Sequence, residues 1–263
     1  MMLWQPTRGI LQAGQHWRRG QGGGAPAFPS TLANLVAWYS SDVGVTTSSG
    51  NVTQVLDQSG NGYTLTNSGT VPFNAASAYN SQPAFDFVAA NGAVLKTATN
   101  AVAFPATGSF SAFMVCRLAS ASTGFSGGII IGTGSGNDYN VIGNAEVLGR
   151  IDSAATIQTT DSLTCNITIG VTLDANMRLG MVSTNAINTQ QYVNNVGGPT
   201  GPPFPNITTP NNIIIGNRYL GGAISTTGHC WQGPILEIVV TGSGLSSTER
   251  NSLDSYFTTK WGT

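Results

Sequence analysis

From Thr31 to the C-terminus the chain repeats one pattern: short apolar or alternating runs, broken by turn residues every 8–15 positions. Alternation sends successive side chains to opposite faces, as a half-buried strand requires. The clearest runs are Leu35–Tyr39, Val52–Leu56, Ala84–Val88, Phe110–Leu118, Gly128–Ile131, Ile167–Leu173, Arg178–Ser183, Asn188–Val193, Ile213–Gly216 and Ile235–Thr241. They are rich in Val, Ile, Phe and Thr. Phe110, Ala112, Met114, Cys116 and Leu118 fall on one face of their run, Phe113 and Val115 on the other. Both faces are apolar, which predicts a central strand covered on both sides. The expected fold class is all-β: a two-sheet antiparallel jelly-roll sandwich with one short C-terminal helix and an extended N-terminal arm. The five prolines and three glycines of 196–210 predict a long surface loop.

The helix is marked by Ser246 with Glu249 three residues on, a capping box. It is expected over Ser247–Lys260, laying Leu253, Tyr256 and Phe257 on the sandwich edge, with Trp261 closing the domain.

Composition removes several functions. Only 8% of the 263 residues are charged, against about 25% in ordinary globular chains, and net charge is −1. A sequence-independent nucleic-acid binder needs a basic surface, so nucleic acid is not an expected partner. No run of about 18 apolar residues is present, so no transmembrane helix and no membrane partner are expected. Residues 1–30 hold no 7–15-residue apolar stretch of the kind that a signal peptide needs. Three cysteines without a C-x-x-C pair and two histidines argue against a zinc site, and Cys116 reads as a core thiol.

Residues 1–30 form a separate unit. They carry Arg8, Arg18, Arg19 and His16, and no acid occurs before Asp42. Residues 20–29 hold four glycines and two prolines, a linker composition. Ahead of it, Trp4 and Trp17 are candidate hydrophobic anchors, and Arg18 and Arg19 candidate contacts to an acidic surface. The expectation is an anchoring arm (1–30) that docks on another subunit, followed by one domain (31–263).

Particular residues give that domain a family likeness. Leu35-Val-Ala-Trp-Tyr39 precedes Asp42, then Asp57-Gln-Ser-Gly-Asn-Gly62; near the end stand Ile213-Ile-Ile-Gly-Asn-Arg218, Trp231-Gln-Gly-Pro-Ile-Leu-Glu-Ile-Val-Val240, the capped helix and Lys260-Trp-Gly262. This frame resembles the concanavalin A-like lectin/glucanase superfamily in its laminin-G-like branch, a kind of domain found in bacterial surface proteins and bacteriophage virion proteins. Ser40 stands where such domains often have Asp, and Val55 where they often have an aromatic residue.

Glycoside hydrolysis needs two carboxylates flanking the scissile bond. No acid-x-acid pattern occurs, and Glu237 is the one acid in its run. Glu237 is therefore expected to pair with a basic group or to cap backbone amides, and no enzymatic activity is expected. Gly132-Thr-Gly-Ser-Gly136 lacks the Lys and the helix of a phosphate loop. Asp57 and Asn61, with Ser59, have oxygens at a spacing that suits Ca²⁺, which the resemblance also implies; Asx-turn capping is the preferred reading. No other cofactor is expected. Tyr139 and Asn140, and Tyr192 with Asn194, are candidate glycan contacts, an aromatic to stack on a sugar and an amide to read its hydroxyls. Arg218 and Tyr219 are weaker candidates.

Together these point to a structural protein of a bacteriophage particle, a capsid decoration protein, head fibre or tail-associated adhesion protein. Its arm would hold capsid or tail proteins, its jelly roll would face host-surface glycans at the virion surface, and it would assemble as a homo-oligomer. The alternative is a soluble bacterial carbohydrate-binding module or lectin, outside the cell or on its surface.

Overall fold

The computed structural model describes residues 28–77, 81–98, 101–104, 109–120, 126–132, 145–150, 155–160, 166–184, 187–203, 212–217, 219–220, 223–224 and 230–263. The strands in order are β1 (Leu35–Ser40), β2 (Val45–Ser48), β3 (Asn51–Val55), β4 (Leu65–Ser68), β5 (Phe73–Asn74), β6 (Ala84–Phe87) and β7 (Val94–Lys96). Next come β8 (Phe110–Arg117), β9 (Ser126–Gly132), β10 (Ala145–Arg150), β11 (Thr156–Thr160) and β12 (Asn166–Gly170). Then follow β13 (Asn176–Thr184), β14 (Asn188–Val193), β15 (Val196–Gly201), β16 (Asn212–Ile215), β17 (Tyr219–Leu220), β18 (Ala223–Ile224) and β19 (Gly233–Thr241), before helix α1 (Ser247–Trp261).

Two antiparallel sheets face each other. The front sheet runs β15-β14-β13-β8-β19-β6-β5, with β1 also paired to β19; the back sheet runs β12-β11-β10-β9-β16-β7-β4-β3-β2. Between them lies the main core, in which Phe85, Phe87, Met114, Leu179 and Ile238 meet Val55, Leu65, Leu95, Ile129, Ile213 and Ile215. The two-faced reading of β8 is borne out. Phe110, Ala112, Met114, Cys116 and Leu118 enter this core, while Phe113 and Val115 join a second cluster on the outer face. Gly216 ends β16 at φ +83, and a Cβ there would sit 2.0 Å from the Phe87 ring, so both conformation and space require glycine.

The second cluster is where α1 belongs. Leu253, Phe257 and Trp261 pack on Phe113, Val115, Val182, Leu236 and Val239. The helix thus covers the outer face of the front sheet rather than the sandwich edge. Its capping box is present: the Ser246 hydroxyl accepts from the Glu249 amide, and the Glu249 carboxylate accepts from the Ser246 amide. Gly262 ends it at φ 67, its N–H donating to Thr258 O.

Two expectations need correcting. Val196–Gly201, expected in a loop, is the edge strand β15, and the register shift on its partner β14 falls between Gln190 and Tyr192, opposite Pro199. An edge strand tolerates proline because one side of it has no ladder to lose. The short strands β2, β4, β5, β7, β10 and β11 carry no strong alternation. In β2, Val45 is half-buried and the rest exposed, so burial left little mark on its sequence. The linker reading over residues 20–29 also stops short at its end. Phe28 packs edge-on against Tyr256, with ring centroids 5.7 Å apart.

Candidate functional site

The residues singled out by sequence divide into four groups. Trp4, Trp17, Arg18, Arg19, Tyr139, Asn140 and Arg218 lie outside the described residues, as does His229.

Asp57 and Asn61 share one turn, beside β1. Asp57 Oδ1 accepts from the Trp38 and Ser59 amides at 3.0 and 2.9 Å; Oδ2 accepts from the Ser59 hydroxyl and the Tyr63 amide at 2.7 and 3.1 Å. Asn61 Nδ2 donates to Leu35 O and Val36 O, each at 2.9 Å. Gln58 N donates to Trp38 O at 2.7 Å. Both carboxylate oxygens are thus spent on the loop and on the free edge of β1, and the loop does the work of a neighbouring strand.

Tyr192 and Asn194 are placed together but not as a sugar platform. Tyr192 is 7% exposed, its hydroxyl donates to Gln190 Oε1, and Arg250 lies 4.2 Å over its ring. That face is covered, so no sugar ring can stack on it. Asn194 and Asn195 form the β14–β15 turn at φ 50 and 63, where asparagine tolerates the left-handed region. Asn194 Oδ1 accepts from the Arg178 amide at 2.9 Å. Arg178 in turn donates to Asp254 at 2.6 Å, tying β13 to α1.

Glu237 is fully buried on the outer face of β19. Its Oε1 accepts from Trp38 Nε1 (2.6 Å) and Tyr256 OH (2.9 Å), and its Oε2 from Trp261 Nε1 (2.6 Å), with Lys260 Nζ 3.0 Å away. Lys260 also reaches Asp42 at 2.9 Å and the Ser40 hydroxyl at 2.8 Å. Burial lifts the Glu237 carboxyl above its ordinary 4.5, and the Lys260 charge and the hydrogen bonds pull it only partly back. The acid pairs with a base, as expected, and serves as a latch between sheet and helix.

An open pocket lies on the other half of the same face, which α1 does not cover. Asn74, Asp86, Val88, Arg117, Gln232 and Pro234 line a pocket of about 290 Å³. Its floor follows from register. Phe85 and Phe87 point into the core, so Asp86 points out. Pro234 pairs with Asp86, and Ile235 pairs with Cys116, which puts Arg117 on the far side of Pro234. Asp86 and Arg117 therefore stand two strands apart, about 10 Å at the backbone, with the proline ring between them. Burial raises the Asp86 carboxyl above its usual range, and the Arg117 charge opposes this. The sequence reading missed this pair. The signal was there in Phe85-Asp-Phe87, where a lone acid alternates with core aromatics, and in Arg117 closing the most apolar strand.

No family model matches the chain, and no curated protein matches it. Solved structures do. Domain 4 of AbnA, a GH43 extracellular arabinanase from Geobacillus stearothermophilus, solved with arabinotriose, superposes with a TM-score of 0.55 at 13% identity, over 84% of this chain and 98% of that one. Trypanosoma rangeli sialidase, in complex with 2,3-difluoro-KDN, gives 0.54 at 14% identity, over 89% of this chain and 34% of that one. A GH54 α-L-arabinofuranosidase soaked with 4-nitrophenyl α-L-arabinofuranoside gives 0.54 at 16%, over 78% and 50%. The chain thus spans about a third of the sialidase and half of the arabinofuranosidase. At such identities the likeness is one of fold: the chain is a β-sandwich similar to ones found in these glycosidases and this sialidase.

Proposed function

We propose that the chain is a carbohydrate-binding module of the laminin-G-like kind, acting outside the cell or at a surface, and that it hydrolyses nothing itself. The observation that carries this is the polar pocket on the bare half of the front sheet, in a sandwich whose neighbours include domain 4 of AbnA, solved with arabinotriose. Among the described residues Asp86 is the one acid lining that pocket, whereas hydrolysis would need a pair. The bacteriophage reading rests on the arm at residues 1–30, the lack of a signal-peptide stretch there and a near-neutral domain poor in catalytic groups, and the comparisons lend it no support.

Affinity electrophoresis of the full chain in gels containing arabinan or other polysaccharides tests the proposal, alongside a reducing-sugar assay. Retardation without release of reducing ends is expected. Retardation by no polysaccharide would overturn the binding reading, and sugar release that Asp86→Asn abolishes would make the chain an enzyme.

A further inference from the structure

The polar groups of this pocket stand apart from the rest of the molecule in one respect. Asp42, Asp57, Asp174, Glu237, Glu249 and Asp254 each accept a hydrogen bond or pair with a base. Arg178 and Arg250 each donate to a side chain. Among the acids and arginines whose side chains are described, Asp86 and Arg117 are the two for which no side-chain hydrogen bond is found, and both line this one pocket. The Nε of Arg117 is buried, and its N–H meets no acceptor. A buried donor left unpaired is costly, and a half-buried carboxylate without donors is likewise unfavourable. Folding alone gives no reason to keep either group in that state. A ligand that supplies donors to one and an acceptor to the other gives both a reason.

Resting on the carbohydrate-binding reading, we propose that the pocket binds an uncharged sugar unit, a vicinal diol of which donates to Asp86 while a neighbouring ring or hydroxyl oxygen accepts from Arg117. Two hydroxyls on adjacent carbons match the two oxygens of one carboxylate. The Arg117 N–H groups are donors only and need an oxygen acceptor. Pro234, between the two, offers a C–H surface to the apolar face of the sugar ring, and Val88, 37% exposed, continues that surface at the rim. The charges of Asp86 and Arg117 cancel, so the pocket has no net attraction for an anion. A carboxylated sugar seated on Arg117 would bring its own charge toward Asp86. Burial holds the Asp86 carboxyl above its usual range, as expected for an acceptor that is short of donors until a ligand arrives.

The full chain is applied to an array of uncharged and carboxylated oligosaccharides, and the best hits are titrated calorimetrically against wild type, Asp86→Asn, Arg117→Gln and Val88→Trp. The last change fills the mouth from an exposed position and leaves the core alone. Uncharged glycans should bind, and each variant should weaken them at least tenfold without lowering the melting temperature. If one polar variant misfolds, Val88→Trp still decides the location. Wild-type-like binding by Val88→Trp and the polar variants would overturn the pocket assignment and leave the lectin reading standing. Capture of carboxylated glycans alone would overturn the uncharged class. Capture of nothing would overturn both.

Discussion

Glu237 has no exposed surface, yet three hydrogen-bond donors and an ammonium group converge on its two oxygens. Its neighbours in the sequence already marked it as structural, because no second acid stood near it. The partners were illegible: Trp38 is 199 residues away, and only closure of β1 on β19 brings it in. Glu237→Gln would keep the shape and replace one acceptor oxygen with a donor, setting N–H against N–H and leaving Lys260 to Asp42 and Ser40. Breaking a buried pair in this way costs roughly 3 kcal/mol. The pH dependence has a definite sign. The folded carboxyl titrates above 4.5, so the stability that protonation supplies is complete below about 4.5 and is lost as pH rises through the folded value. Denaturant unfolding of both proteins from pH 4 to 7 should show the wild-type advantage over Glu237→Gln narrowing as pH rises. A constant or widening gap would contradict the burial argument.

At the scale of elements, legibility followed burial. β8, β13 and β19 bury both faces and are legible in their apolar runs; β15, with no buried residue, carries only the proline and glycine signals of a loop. Helix α1 was legible from Ser246 and Glu249, but its seat on the outer face was not. That seat depends on Leu236, Val239 and Phe113 lying side by side, a product of strand order. The 57–62 loop shows the same divide. Its residue types announced a turn, whereas its task, covering the free edge of β1, emerges only in three dimensions. Asp57→Ala would strip acceptors from the Trp38, Ser59 and Tyr63 amides together. Hydrogen bonds to charged groups contribute about 1.5–3 kcal/mol, so a loss near 3 kcal/mol is expected in urea unfolding. An exposed edge also templates pairing between chains, so the variant should aggregate faster on heating by light scattering. Since both Asp57 oxygens are already engaged, adding calcium or EDTA should leave the wild-type midpoint where it is; a calcium-dependent rise would restore the cation reading of Asp57 and Asn61.

The molecule as a whole has three layers: back sheet, front sheet and, over half of the front sheet, a helix that leaves the other half free. That half-coverage is what makes the pocket possible, and it also sets where the body begins. Phe28 packs on Tyr256, whose hydroxyl donates to Glu237, and the Leu32 amide donates to Pro29 O. The sequence put the boundary at Ser30 because Pro26, Pro29 and four glycines read as linker; the aromatic contact of Phe28 carried no pattern to betray it. A chain of 28–263 should therefore unfold at the wild-type temperature, and a chain of 31–263 lower. An edge-on aromatic pair contributes about 0.5–1.5 kcal/mol, which at about 2–4 °C per kcal/mol for a domain of this size corresponds to roughly 1–6 °C. Calorimetry on the two truncations measures this, and glycan titration of the same samples tests where recognition resides. The pocket lies on strands of the body, so 28–263 should bind as the full chain does. If it unfolds early, residues 1–27 contribute to the body's stability; if it stays folded but loses its glycans, recognition belongs to the arm and not to Asp86 and Arg117.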